Sequence, residues 1–299
     1  MRIKKTLKYL IPTVIVLVLA GGFIAAKYML PYAIIQPPRI TEKISPADLQ
    51  LESQNIALTV EDTIELKGYW VKTKVEAPES VMIFVHGIGG CKEHFLGLAQ
   101  DLSRLGIESV LVDMRAHGQS GGQFTTYGYK EKHDISAVVD LIKRQNDSIP
   151  IGIWGNSMGG AIALQALEIE PRIEFGIIES TFTDLDQIVY DYQKKMAWGI
   201  GLKPLCNIAL AEAGRLADFD PDAVVPLESV KNIQQPVFIA HGTLDENIKF
   251  DYGYELYKKL NTRQKHFYPV EGGGHFDLGQ VGGPLYYRAI QEFIFKHSN

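Results

Sequence analysis

Cysteine is nearly absent: Cys91 and Cys206 are the two in 299 residues. They form no disulfide framework and no metal-ligand spacing, and two unrelated thiols are a simpler reading than one bridge. No HExxH or clustered Cys/His pattern occurs, so no catalytic metal is expected. GxxxxGK[ST] is also missing, and HGIGG at 86–90 falls short of a full GxGxxG, so no nucleotide cofactor is expected. Positive charge is dispersed beyond the N-terminus rather than concentrated. Thirty Lys and Arg stand against 35 Asp and Glu, a net −5, without the concentrated basic face of a nucleic-acid binder. There is no internal repeat and no low-complexity stretch. The lone sequon, Asn146-Asp147-Ser148, is close to chance.

What is present is an ordinary globular balance, 46% hydrophobic and 22% charged, with one exception at the start. From Tyr9 to Leu30 the only charge is Lys27. About 20 apolar residues suffice to cross the hydrocarbon core as a helix. Arg2, Lys4, Lys5 and Lys8 precede this run, so the positive-inside rule keeps the N-terminus cytoplasmic and sends the rest across. A cleaved signal peptide is the rival. The long apolar run, and the lack of a clean small-x-small site followed by an obvious mature start, favour an uncleaved anchor. Tyr28 and Tyr32 are placed for the far interface. The expected parts are a cytoplasmic N-terminus (1–9), a transmembrane anchor (10–30), a Pro-rich linker (31–54) and one large domain (55–299).

In that domain NIALTV and TIELKGYWVKT alternate around Glu61-Asp62, as in a hairpin. VMIFVHG, IESVLVD, PIGIWG, EFGIIES, QPVFIAHG and KHFYPV follow as short apolar runs. Helical patterns separate most of them: Leu96, Ala99, Leu102 and Leu105 share one face, as do Ile135, Val138, Val139 and Ile142. Such alternation predicts an α/β fold with a mostly parallel sheet covered on both faces. RAIQEFIFKHS is the expected final helix. More than fifty residues separate the runs ending near Glu179 and starting near Pro236, too many for an ordinary connection. This interval is read as a helical cap insertion, about 182–232. Its apolar residues Trp198, Ile200, Leu202 and Leu205 either pack on the core or bind an acyl chain.

Ligands of open parallel sheets sit beyond the carboxyl ends of the strands. His86-Gly87, Asp113, Ser157, Glu179, Asp245 and His275 all follow such ends. Gly155-Asn156-Ser157-Met158-Gly159 is a GxSxG sequence between a strand and a helix. With the upstream HG turn, HGTLD and the late EGGGH, the chain resembles the α/β-hydrolase superfamily over about residues 55–298. Within it the chain is similar to the serine aminopeptidase-like and monoacylglycerol-lipase-like group, and to the Bem46-type membrane-anchored hydrolases. The resemblance implies an α/β-hydrolase fold and a serine hydrolase with Ser157 as nucleophile, His275 as base and Asp245 as the acid orienting it. It also implies oxyanion donors at the backbone N–H groups of Ile88 and Met158. The implied substrate is a carboxylic, lipid-like or acyl ester. A peptide or thioester, and a non-catalytic binding protein, are the alternatives.

Blander readings stand beside these. Ser157 fits an ordinary helix N-cap, and Asp245 fits a turn cap. Glu179, Asp184 and Asp277 are rival acids. Among the histidines, His266 falls within a strand and His297 in the terminal helix. His86 is read as a structural turn residue, His117 as an exposed loop residue, and His241 as a brace of the strand–loop junction. Cys91 is read as an inert residue beside the oxyanion loop. An aminopeptidase needs carboxylates near the substrate amine, for which Asp184, Asp186, Asp191 and Glu212 are the candidates.

Overall fold

The short apolar runs form one sheet. The computed structural model describes residues 2–61 and 63–298, with side chains from Tyr9 onward. Asp62 of the expected turn and the side chains of Arg2, Lys4, Lys5 and Lys8 lie outside the described residues. The strands are β1 (Ser53–Val60), β2 (Ile64–Val71), β3 (Ser80–Val85), β4 (Ile107–Val112), β5 (Ile151–Asn156), β6 (Phe175–Glu179), β7 (Val237–Gly242) and β8 (Lys265–Val270). They lie in the order β1-β2-β4-β3-β5-β6-β7-β8. β1 and β2 form the expected antiparallel hairpin and β2 runs antiparallel to β4, while the rest of the sheet is parallel.

Ten helices are described: α1 (Arg2–Tyr28), α2 (Leu30–Ile35), α3 (Leu96–Arg104), α4 (Glu131–Gln145), α5 (Met158–Ile169), α6 (Leu185–Met196), α7 (Lys203–Ala217), α8 (Pro226–Ser229), α9 (Phe250–Lys259) and α10 (Leu278–His297). Successive strand residues point to opposite faces, so each parallel strand feeds two cores. Ile83, Val85 and Ile153 pack with Ile135, Val138 and Val139 of α4 and with α5. Met82, Phe84 and Trp154 pack with Leu96, Ala99 and Leu102 of α3 and with Ile290 and Phe293 of α10. Both faces are covered, which is why these strands read as continuous apolar runs.

Three details differ from the sequence reading. The final helix begins well before Arg288, and Gly283 (φ 56°, ψ −151°) kinks it just ahead of Pro284. Proline fits the first turn of a helix and breaks its interior, so the pattern restarts there. The apolar N-terminal helix ends at Tyr28, and Pro31 opens α2. The Pro-rich stretch after it is docked: Thr125 N–H donates to Ile35 O (2.8 Å), Tyr127 Oη to Ile34 O (2.5 Å), and Arg39 to the carbonyls of Gly118, Ser120 and Gly122. The interval between β6 and β7 carries α6, α7 and α8.

Candidate active site

Gly155, Asn156 and Ser157 carry the chain from β5 into α5 in almost no space. A Cβ on Gly159 would lie 2.0 Å from Val85 O, and one on Gly155 would lie 2.2 Å from Gly159 O. Only glycine permits this approach. Ser157 takes φ 54°, ψ −122°, a strained setting for a residue with a side chain. An N-cap serine sits in the extended region and its hydroxyl accepts from the first helical turn. Ser157 does neither, and its side chain makes no capping bond. Its backbone is pinned instead: Ser157 N–H donates to Glu179 O (2.9 Å) and Thr181 Oγ1 donates to Ser157 O (2.7 Å).

The hydroxyl is 3.0 Å from His275 Nε2, and His275 Nδ1 is 2.8 Å from Asp245 Oδ2. The carboxylate keeps the ring proton on Nδ1, which leaves Nε2 to accept from the Ser157 hydroxyl. Asp245 Oδ1 accepts from the N–H groups of Asn247 and Ile248, both at 2.8 Å. His241 Nε2 lies 3.4 Å from Asp245 Oδ2 and 2.9 Å from Ile248 O, bracing the loop as expected of it. Burial alone would raise the Asp245 carboxyl. Hydrogen bonds from His241, His275 and Ile248 outweigh it and hold the group well below its ordinary value. Asp245 is therefore ionised at neutral pH.

The HG loop passes directly beside Ser157, since a Cβ on Gly87 would lie 3.1 Å from Ser157 Cβ. Met114 N–H donates to His86 Nε2 (3.0 Å), so the ring proton sits on Nδ1 and donates to Gly87 O (2.8 Å). Gly90 N–H reaches the same carbonyl at 3.0 Å. In a trans peptide the following N–H points the opposite way, so the pinned carbonyl fixes the direction of Ile88 N–H. Among the described residues neither Ile88 N–H nor Met158 N–H has an acceptor. Asp113 secures the loop by accepting from Lys92 N–H and Lys92 Nζ, both at 2.8 Å. Burial, with His117 next, pushes the His86 imidazole down to about 3 and keeps it neutral.

Ser157, His275 and the HG loop share a pocket of about 470 Å³, lined also by Phe95, Leu98, Tyr192, Phe276 and Tyr286. The rival acids are engaged elsewhere. Glu179 lines the pocket but accepts from Tyr286 Oη rather than touching His275. Burial raises its carboxyl. Asp184 caps α6 through Gln187 N–H (2.7 Å), and Asp277 accepts from Gly274 N–H (2.6 Å), bracing the His275 loop. Asp186 pairs with Lys203, Asp191 with Lys249 and Glu212 with Arg215. None of the four aminopeptidase candidates lines the pocket.

His266 stacks on Phe238 at 4.8 Å, and His297 packs on Phe293 at 4.7 Å. His117 corrects an expectation: it is fully buried, its ring edge-on to His86 at 4.8 Å and its Nδ1 bonded to Arg115 O. The polar run RAHGQS looks like an exposed turn, but it folds under the N-terminal stretch that Arg39 fastens over it. The cap residues Trp198, Ile200 and Leu202 are exposed, neither packed on the core nor lining the pocket. Cys91 is buried, and burial pushes its thiol up to about 12, so it holds no thiolate at neutral pH. Sequence reasoning missed Thr181 and Lys92. Thr181 lies two residues beyond Glu179 and Lys92 two beyond the HGIGG loop, and that proximity was the available signal.

A family model described as serine aminopeptidase, S33, matches residues 76–209. The uncharacterized protein YqkD of Bacillus subtilis is 30% identical over 233 residues, 77% of this chain and 75% of that protein. Lysophosphatidylserine lipase ABHD12 of Macaca fascicularis is 27% identical over 252 residues, 76% of this chain but only 58% of that protein. An esterase from Pyrococcus furiosus superposes with a TM-score of 0.74 at 26% identity, covering 89% of this chain and 99% of the esterase. The doubly covered sheet, the strand–turn–helix around Ser157 and these relatives agree: the chain belongs to the α/β-hydrolases of the Bem46/ABHD type and is a serine hydrolase.

Proposed function

We propose that the protein hydrolyses a carboxylic ester of lipid-like or acyl character through an acyl-enzyme on Ser157. The observation that carries this reading is the unbroken relay from Ser157 Oγ through His275 to Asp245, at 3.0 and 2.8 Å. Ser157 Oγ attacks the carbonyl carbon while its proton passes to His275 Nε2. Negative charge gathers on the former carbonyl oxygen, which the Ile88 and Met158 N–H groups receive. The positive end of α5 adds to their effect. Collapse of the intermediate expels the alcohol, which takes the proton from His275. Water then repeats the sequence on the acyl-enzyme, losing its proton to His275, and the acid leaves as Ser157 regains its hydrogen. Asp245, ionised throughout, stabilises the imidazolium in each half-reaction.

The apolar lining of Phe95, Leu98, Phe276 and Leu278 supports an acyl substrate, as do the names of the lipase and esterase relatives. The engagement of Asp184, Asp186, Asp191 and Glu212 in caps and ion pairs weakens the aminopeptidase alternative. The acidic residue Glu179 inside the pocket is what keeps an amine-bearing substrate in view. A series of p-nitrophenyl esters of increasing acyl length, run beside aminoacyl p-nitroanilides, separates the two. Ester turnover that rises with acyl length is expected. Faster amide turnover, lost in Glu179→Gln, would reverse the assignment.

Anchoring is the second part of the reading. Tyr9–Tyr28 is a 20-residue apolar stretch with mean hydropathy 2.3 and almost no burial. With basic residues ahead of it, the N-terminus stays cytoplasmic and the hydrolase domain lies outside. In sealed inside-out vesicles the domain should resist added protease; digestion there would place it in the cytoplasm.

A further inference from the structure

The turn between α6 and α7 exposes an apolar cluster that the fold does not use. Met196 is 79% exposed, Trp198 94%, Ile200 61% and Leu202 45%. Trp198 has φ 50° and Gly199 φ 91°, so the chain turns sharply and holds these side chains outward. Leaving a tryptophan in water forgoes the burial free energy of a large aromatic surface. Such clusters on a soluble face mark interaction sites.

The position of the turn identifies the partner. Leu205, in the first turn of α7, lies 3.5 Å from where a Cβ on Gly22 of α1 would sit. Gly22 is six residues before Tyr28, the end of α1. At 1.5 Å per residue that is about 9 Å inward from the helix end. The start of α7, which the turn immediately precedes, therefore lies alongside the outer part of the apolar helix, about as deep as interfacial segments bury their apolar face, roughly 5–10 Å. Cations stand near by: Lys27 closes α1, and Lys194, on the last turn of α6, has no ion pair among the described residues. Lys203 is paired with Asp186. The order of apolar tips, tryptophan and lysine is that of a membrane interface.

We infer that the Met196–Leu202 turn enters the same leaflet that α1 leaves, as a second and shallower membrane contact. The contact would set the pocket mouth at the lipid surface. Tyr192, one turn before Met196 on α6, lines the pocket. Lys195 Nζ donates to Glu246 O and Asn247 Oδ1 beside Asp245, tying the end of α6 to the relay. Phe276, 84% exposed at the pocket rim, faces outward as well. An acyl ester then reaches Ser157 from the bilayer rather than through water. This consequence rests on the hydrolase reading; the docking itself does not.

Two measurements on the full chain in phosphatidylcholine vesicles keep the claims apart. Trp70 and Trp154 are buried, so emission lost in Trp198→Phe reports Trp198. That emission should be quenched by lipid carrying a spin label near the headgroup, less by one labelled at the chain terminus, and scarcely by iodide. Quenching by iodide and not by lipid would overturn the inference. Resistance to both would put the cluster against protein, a second copy or a partner, and would overturn it equally. In the second measurement Met196, Trp198, Ile200 and Leu202 are all replaced by Ser. Turnover of a long-chain acyl ester embedded in the vesicles should fall about tenfold or more, while p-nitrophenyl acetate in water is cleaved as by the wild type. Equal effects on the two substrates would contradict the route from the bilayer. Failure of the wild type to cleave either ester would sink the hydrolase reading and leave the fluorescence result to decide the docking.

Discussion

Asp245 shows how much one residue's surroundings decide. Its carboxylate is buried, a setting that ordinarily makes the charged form costly. Hydrogen bonds from His241, from the His275 imidazole and from Ile248 N–H outweigh that cost. The group then serves as a fixed negative partner rather than a titrating one. Asp245→Asn keeps the shape but favours the wrong imidazole tautomer, and kcat should fall by about 10⁴. KM should change little, because this side chain does not line the pocket; steady-state kinetics on a soluble ester check both parameters. The place of the residue beside His275 was legible because a single Asp follows HGTL at a strand end ahead of a late, Gly-flanked His. The His241 brace was only half legible, since a strand-end histidine shows its place but not its partners.

The elements were easier to read than their joints. Strands buried on both faces wrote themselves as apolar runs, and α3 and α4 as three-to-four-residue stripes, because burial fixes periodicity. Segments held by long-range contacts left no such trace. Residues 36–45 have no pattern, yet Arg39 fastens them across the turn at 118–122. The polar turn around His117 gave no hint that it would be covered. The kink at Gly283 was hidden because apolar residues continue on both sides of it. At the elbow the sequence was explicit. Gly159 sits where any Cβ would overlap the Val85 carbonyl at 2.0 Å. Gly159→Ala must push α5 away from β3 and tilt the Ser157–Met158 junction. It should cost roughly 1–3 kcal/mol of stability, and lower kcat more than a distant substitution of equal stability cost. Urea unfolding beside ester turnover separates the two losses.

At the scale of the whole molecule, buried titratable groups set how it meets acid. The His86 imidazole, held near 3 when folded, takes up a proton from about 6.5 downward once unfolded. Its stabilising contribution is complete above pH 6.5 and is lost as pH falls toward 3. His117 shifts in the same direction through burial. Asp245, held low, adds stability above its ordinary value of 3.8 that is lost further down. These three make stability fall on acidification, while the carboxyls of Asp134, pushed up by burial to about 6, and of Glu179, also raised by burial, oppose them. Between about pH 7 and pH 5 the urea midpoint of His86→Gln, less stable at the start, should fall less, or rise more, than that of the wild type. The central claim remains the chemistry of one serine in this frame. A fluorophosphonate probe and peptide mass mapping of the full chain test it most directly. A single adduct on the peptide carrying Ser157 is expected, absent in Ser157→Ala and slowed by orders of magnitude in His275→Ala. An intact, folded protein with no adduct, or with the adduct on another residue, would contradict it.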